Sequence, residues 1–442
     1  MKKVRKFNAA VALGSLTAAV ALLAGAPDAS AQTAPGGGSF PGSFLVPGTN
    51  TSIKIGGYAK IVGIYDIKGV PAAAANVGNP DVEVPAAIPL SGSGAAGAHG
   101  ALRFHARQSN INLDSRTPTA YGDLTIFLTA DFFGQNTAQA QTGSNTQNAR
   151  LVYAYGTLGG FLAGQAASLW ADNDALPETV DPTPTVGVMN GSSQRQPQFR
   201  YTFAMANGIS VAGSIENPEQ EGVVNVAGAG AFTTSTLGGY DRLPDFIVRG
   251  RIDQAWGHFA LTGILRDEAL RTVPAAEPGV SIHAHKDGYG LEASGHVNTI
   301  GKDAFKFMAI IGKGLGHYIT DLGGSGALQL SSVAVGSPDA GLAKQYSANI
   351  SYTHWWTGML RSTVNLGYLH NKDSGVITLA AAENAIEKRH IDALANLIWS
   401  PVPQVDLGIE YIYEKRNVQA ASGTVGSSGT GHRIEVESVF KF

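Results

Sequence analysis

The stretch that decides the fold is His432-Arg-Ile-Glu-Val-Glu-Ser-Val-Phe-Lys-Phe442. Taken alternately, Ile434, Val436, Ser438, Phe440 and Phe442 share one face, and all but the serine are apolar. Arg433, Glu435, Glu437, Val439 and Lys441 share the other, and all but the valine are charged. Strand side chains switch face at every residue, so this ribbon sets an oily surface against a wet one. About ten residues of that pattern cross a bilayer as one tilted barrel strand. The competing fate is the edge strand of a soluble sandwich, and the rest of the chain decides between them.

The start of the chain is a targeting segment. Lys2, Lys3, Arg5 and Lys6 precede a short apolar run from Val11 to Ala24, and Ala29-Ser30-Ala31 is a small-x-small cleavage site. Residues 1–31 therefore read as a secretory signal peptide, whose apolar run is too short for a spanning helix. Its removal takes four of the 31 basic and one of the 34 acidic residues, leaving a net charge of about −6. That mild acidity argues against a nucleic-acid partner. The chain has no Cys, so neither a disulfide framework nor a thiolate site is available. No apolar run of spanning-helix length follows the signal, whereas a barrel dilutes its apolar residues one in two. Residues 32–51, rich in Pro, Gly and Ser, read as a flexible periplasmic lead-in, and residues 52–442 as the barrel.

From Ser52 the alternation resumes. Ile53, Ile55, Gly57, Ala59, Ile61, Gly63, Tyr65 and Ile67 oppose Lys54, Lys60 and Asp66. Next come a long loop from Gly69 to Ala98, a strand from His99 to Ser115, a tight Thr-Pro-Thr-Ala link within Arg116 to Tyr121, and a strand from Gly122 to Phe133. The rhythm repeats, with tight turns such as Gly159-Gly160, Asn207-Gly208 and Ala255-Trp256-Gly257 and longer polar loops between them. The fold expected is all-β, a transmembrane antiparallel barrel of about sixteen strands with short periplasmic turns and long extracellular loops. Tyr153, Tyr155, Tyr201, Phe203, Trp256, Tyr352, Trp355, Trp356, Tyr368, Trp399, Tyr411 and Tyr413 lie near presumed strand ends, where aromatic rings sit at the headgroup level.

The water-facing positions carry the candidate function. Leu102, Phe104 and Ala106 alternate with Arg103, His105 and Arg107, and a phase slip near Ser109 calls for a bulge. Lys60, Arg150, Arg200, Arg249, Arg251, Arg266 and Arg361 also alternate with apolar neighbours. On the lipid side near the midplane an arginine would cost roughly 2–4 kcal/mol, so these belong inside. A lumen arginine can pair with a wall acid such as Asp123, Asp131, Asp253 or Glu292; the doublets Arg103/Arg107 and Arg249/Arg251 favour attraction of anions. The third long loop, Ser168 to Gln194, carries Asp172, Asp174, Glu178 and Asp181, stiffened by Pro177, Pro182 and Pro184, with no Lys or Arg. Folded inward, it would face the basic wall across the channel and set up a transverse field at a narrow waist.

Several phrases are similar to the DcaP-like outer-membrane porins. Among them are Ser52-Ile-Lys-Ile-Gly-Gly-Tyr-Ala-Lys60, Arg107-Gln-Ser-Asn-Ile111, Arg116-Thr-Pro-Thr-Ala-Tyr-Gly-Asp-Leu124, Pro177-Glu-Thr-Val-Asp181 and Gln198-Phe-Arg-Tyr-Thr202. The resemblance implies a homotrimer of sixteen-stranded channels in the bacterial outer membrane, with loop three in the lumen. It also implies a preference for small anionic solutes such as dicarboxylates, and it carries over Lys60, Arg107, Arg116 and Arg200 as basic pore positions. The terminal Phe442 resembles the signal read by the barrel-assembly machinery, and the surroundings implied are outer-membrane lipid and lipopolysaccharide. The chain departs from the family at Gln165-Ala-Ala-Ser168, where Gln-Thr-Trp-Ser is frequent, and in lacking a coiled-coil segment ahead of the barrel.

A barrel hydrolase acting on lipid or peptide is the alternative, but G-x-S-x-G and H-E-x-x-H do not occur. His283 and His285 read as a solvated pair in an exposed loop rather than as metal ligands. Gly92-Ser-Gly-Ala-Ala-Gly97 matches a dinucleotide pattern without the helix that pattern needs. No cofactor, metal or catalytic residue is expected.

Overall fold

Each wall strand pairs antiparallel with its neighbours in the chain, and the first closes on the last. The computed structural model describes residues 37–69, 85–94, 96, 99–134, 148–183, 186–189, 195–219, 221–226, 230–233, 242–272, 282–331, 339–377 and 386–442. The expected signal peptide, residues 1–31, and parts of several expected long loops lie outside these residues. The ring begins with β1 (Ser52–Lys68), β2 (Ala101–His105 continued by Asn110–Thr119), β3 (Gly122–Asp131), β4 (Arg150–Leu158) and β5 (Phe161–Ala167). It continues through β6 (Arg195–Ala204), β7 (Ile209–Glu216), β8 (Asp245–Gln254), β9 (Gly257–Thr272) and β10 (Ile282–Asn298). β11 (Ala304–Lys313), β12 (Lys344–Trp355), β13 (Leu360–Lys372), β14 (Glu387–Val402), β15 (Val405–Val418) and β16 (Ser428–Lys441) complete it. The fold is therefore the expected closed barrel of sixteen antiparallel strands. No helix among the described residues is long and apolar enough to cross a membrane.

The alternation in the closing strand is realised in space. Phe440 is 50% exposed on the outside, while Glu435 is fully buried inside. The register sets Ala59 against Phe440, Ile61 against Ser438 and Tyr65 against Ile434, so both seam strands agree on which face meets lipid. Ile55, Phe104, Phe199, Val248, Leu265, Ile311 and Val364 extend the exposed apolar surface around the wall. A continuous belt of that kind is stable against hydrocarbon and not against water.

The phase slip near Ser109 is a one-residue bulge. Residues 106–109 of β2 oppose residues 59–61 of β1, and the register on either side differs by one. The Ser109 hydroxyl mends the gap, accepting from the Lys60 amide at 3.0 Å and donating to the Lys60 carbonyl at 3.2 Å. The expected Thr-Pro-Thr-Ala link is instead the end of β2, and the chain turns at Ala120-Tyr121. Pro118 is tolerated there because β1 pairs only as far as Arg116, so its missing N–H breaks no bond along that edge.

A second bulge corrects two aromatic assignments. Register shifts between Thr129 and Ala130 opposite Val152, after which Tyr153 pairs with Thr129 and Tyr155 with Phe127. Both tyrosines thus turn into the lumen, where their rings lie 6.2 and 5.6 Å from Phe127. Phe203, by contrast, is exposed on the outer face.

The apolar core sits inside the barrel. Trp170, Val186 and Met189 of the third long loop pack with Leu315, Tyr318, Ile319 and Leu322 of the loop after β11, against wall residues such as Ile264 and Ile310. Residues 37–51 fold back on the seam, where Phe44 pairs with Ile53 and the Phe40 ring covers the Arg116 guanidinium at 4.1 Å.

The turn joining β6 to β7 gives a test. Asn207 (φ 60°) and Gly208 (φ 71°) both take left-handed backbone, and a Cβ on Gly208 would meet the Asp253 carbonyl at 2.1 Å. Gly208→Val should cost about 1–3 kcal/mol, read as a lower temperature for loss of the folded band on unboiled gels. Gly250→Ala, with nothing within 4 Å of the added atom, should leave that temperature unchanged.

Candidate functional site

Loop three lies in the lumen and is held by wall residues from β1 and from β7 round to β16. Its root is fixed by Glu216 of β7, which accepts the Leu169 amide at 2.8 Å. Asp172 then accepts from His258 of β9 at 2.8 Å and from Ser294 of β10 at 2.7 Å. Arg251 of β8 reaches Asp174 at 2.7 Å and Asp172 at 3.5 Å. Lys306 of β11 donates to the Leu176 carbonyl at 2.6 Å. Arg361 of β13 clamps Glu178 with two bonds of 2.6 and 2.5 Å. Further along, Glu410 of β15 takes the amides of Val180 and Asp181 at 3.0 and 3.1 Å, and Lys60 of β1 donates to the Val180 carbonyl at 2.9 Å. Arg433 of β16 approaches Asp181 at 3.6 Å, and Asp392 of β14 takes the Val186 amide at 3.2 Å.

The four loop acids therefore touch the wall on which they lean. The sequence suggests acids facing bases across open water; the folded chain brings them into contact. Contact wins because Coulomb attraction at about 3 Å in a partly dry lumen far exceeds attraction across solvent.

The ten basic positions divide by partner, and Arg266 is fully buried against Asp245 at 3.1 Å and Glu268 at 2.6 Å. Lys60 pairs with Glu437 at 2.7 Å, Arg103 with Asp66 at 2.6 Å, Arg116 with Asp114 at 2.8 Å and Arg150 with Asp131 at 2.6 Å. Arg251 also pairs with Asp253 at 2.7 Å, and Arg361 adds Asp406 at 3.7 Å. Arg107 is buried, donating to the Gly134 carbonyl at 3.3 Å with its guanidinium over Phe133. Arg200 and Arg249 differ from the rest. Arg200 donates only to the Gln198 side chain and the Ala167 carbonyl, and Arg249 to Thr262 at 3.0 Å; neither makes an ion pair among the described residues. One buried Arg249 nitrogen has no hydrogen-bond partner.

Register places these two together. Arg200 lies opposite Ser214 and Arg249 opposite Ala212, next-but-one residues on the inner face of β7. Two strand spacings separate them, about 10 Å laterally. The sequence pattern finds both arginines, yet it gives no sign that these two are the pair left without acids. It places Arg433 on the wet face without giving it a role, and it passes over Glu410 and the His258/His296 pair, although strict alternation along β9 and β15 places Glu410 and His258 inside.

His258 and His296 form a chain behind the loop root. Their Nδ1 atoms lie 2.8 Å apart, and His258 Nε2 is bonded to the Asp172 carboxylate. His258 Nε2–H donates to the Asp172 carboxylate, and the Nδ1–Nδ1 contact is a single hydrogen bond whose proton sits on either ring. Ser294 bonds Asp172 and not His258, so these residues do not form a nucleophile–base pair. Near the rim, Asp267, His285 and Asp287 bring ligand atoms within 4.8 Å of one another. Arg242 occupies both oxygens of Asp267 at 2.9 and 3.1 Å, so this cluster is a set of charge pairs.

A family profile described as "Porin subfamily" matches residues 41–439. Among solved structures, the chain is similar to the outer membrane channel DcaP of Acinetobacter baumannii, at 20% identity and a TM-score of 0.69, covering 90% of this chain and 99% of that one. It is also similar to an anion-selective porin from Comamonas acidovorans, at 11% identity, a TM-score of 0.52 and coverage of 89% and 100%. The trimer form of OmpT, an outer membrane protein of Vibrio cholerae, aligns at 7% identity and a TM-score of 0.50, covering 89% and 99%. No curated protein sequence matches the chain.

The Asp172 anchor has a defined pH range. Burial alone would raise its carboxyl, but bonds from His258 and Ser294 and the charge of Arg249 outweigh burial and hold it at about 2, below the ordinary 3.8. A depressed carboxyl stabilises the folded loop above its ordinary value and loses that contribution as pH falls through about 2. Single-channel recordings should therefore stay quiet at pH 4 and become noisy near pH 2. Asp172→Asn should show comparable noise already at pH 7.

Proposed function

From the premise that this chain belongs to the porin subfamily, and so forms a channel in the bacterial outer membrane, we propose that it passes small hydrophilic solutes with a bias toward anions such as dicarboxylates. The observation that carries the bias is the pair Arg200 and Arg249, which keep their charge without an ion pair while the loop-three acids are each held by wall cations. A passing anion thus meets guanidinium charge at the waist and little unpaired carboxylate on the loop. Two guanidinium groups flanking β7 suit a solute with two carboxylates, since each can engage one end. Lys60, Arg103, Arg107, Arg116, Arg150, Arg251 and Arg361 shape the wall and the loop's seat, with much of their charge balanced by neighbours. Selectivity for anions in the Comamonas acidovorans porin belongs to that protein, and supports the same direction here.

The proposal includes a homotrimer, as in the trimer form of OmpT, surrounded by outer-membrane lipid and lipopolysaccharide. It includes insertion by the barrel-assembly machinery through the outward-facing Phe440 and Phe442.

Reversal potential across a salt gradient tests the bias. The native channel should prefer anions, and Arg200→Ala with Arg249→Ala should lower the anion-to-cation permeability ratio about threefold or more. Arg116→Ala should change it far less, because Asp114 balances that charge. An unchanged ratio in the double variant would remove the assignment to this pair.

A further inference from the structure

The outer face carries a row of cations that the channel does not use. On β11, β12 and β13 the outward residues next below the rim are apolar or aromatic (Ala309 and Ile311, Ile350, Ala348 and Tyr346, Val364, Leu366 and Tyr368), and then turn basic at Lys313, Lys344 and, past His370, Lys372. Register sets Lys313 directly opposite Lys344, and Lys344 directly opposite Lys372. Three ammonium groups thus stand side by side on strands about 4.8 Å apart. None of them makes an ion pair among the described residues. Directly opposed like charges destabilise a sheet, so the row is at its most stable with an external polyanion across it.

Its position says which polyanion. The row lies at the rim bearing the long loops, at the upper edge of the apolar belt, with Tyr289 in register beside Lys313. Aromatic rings at that height mark the headgroup layer, and lysine stems reach up along apolar wall to place their charge there. Beside Lys372 a cleft of about 230 Å³ opens between His370, Lys388, Arg389, Asn417 and Gln419, wide enough for a phosphorylated sugar. Acyl chains of the same molecule would lie along Ile311, Tyr346 and Leu366 below.

We propose that this row and cleft bind the bis-phosphorylated sugar headgroup of lipopolysaccharide in the outer leaflet. The site rests on the outer-membrane placement of the barrel and not on which solute passes through it. Binding of detergent-solubilised protein to bis-phosphorylated lipid A and to its dephosphorylated counterpart, followed by native mass spectrometry, tests it. The native protein should prefer the phosphorylated form. The variant Lys313→Gln/Lys344→Gln/Lys372→Gln should bind that form roughly a hundredfold more weakly, and Lys344→Gln alone about fivefold. Millimolar inorganic phosphate should not compete; competition would mean a free-anion site and would overturn the lipid assignment. Equal binding of both lipids, or full binding by the triple variant, would overturn the site itself. Conductance of the triple variant in phospholipid bilayers should match the native channel, so a fault in the channel reading shows separately.

Discussion

Hydrocarbon offers no hydrogen-bond partner to a peptide group, so the backbone must satisfy itself around a closed ring. The pairing of β1 with β16 is the bond that closes it, and all else in the molecule follows from the two faces that closure creates. Outside, apolar side chains meet lipid. Inside, the wall needs to carry charge, because each strand has one face to spare and that face is wet.

The inner face solves a harder problem than solvation. Loop three brings acids and bare amides into a narrow space, and an unpaired polar group there costs free energy. The wall supplies each with a complement: Arg361 for Glu178, Arg251 for Asp174, Glu410 for two successive amides. Breaking a buried ion pair from one side leaves a stranded charge, so these contacts lock the loop's path more than they add to net stability. Trp170 and Tyr318, whose rings meet edge-on at 6.3 Å, fill the space between the loops. What keeps no direct ion pair among the described residues is Arg200 and Arg249, the latter acting on Asp172 through its charge alone.

The architecture is legible in the sequence because a two-residue period is a local property. His432 to Phe442 shows it at a glance, and even the bulge at Ser109 announces itself as a change of parity. Tyr153 and Tyr155 are misread for the same reason in reverse: Val152 is the extra residue, and nothing in Arg150 to Leu158 reveals that parity changes there. Proline signals a turn in Thr117-Pro118-Thr119, yet an unpaired edge lets it stay in a strand. The pairing of charges is less legible still. Whether Arg249 meets a carboxylate depends on residues from distant strands, and alternation reports the side of the wall without reporting the neighbour.

The breadth of loop three's anchorage bears on the order in which the molecule is built. Val180 takes its partner from Glu410, 230 residues further along the chain, and Asp181 takes part of its charge balance from Arg433 in the final strand. Those partners do not exist as a surface until the seam has closed. The outer half of the loop's path is therefore completed only when β15 and β16 are in place, whereas its root needs no more than the strands β7 to β11 that follow it in the chain.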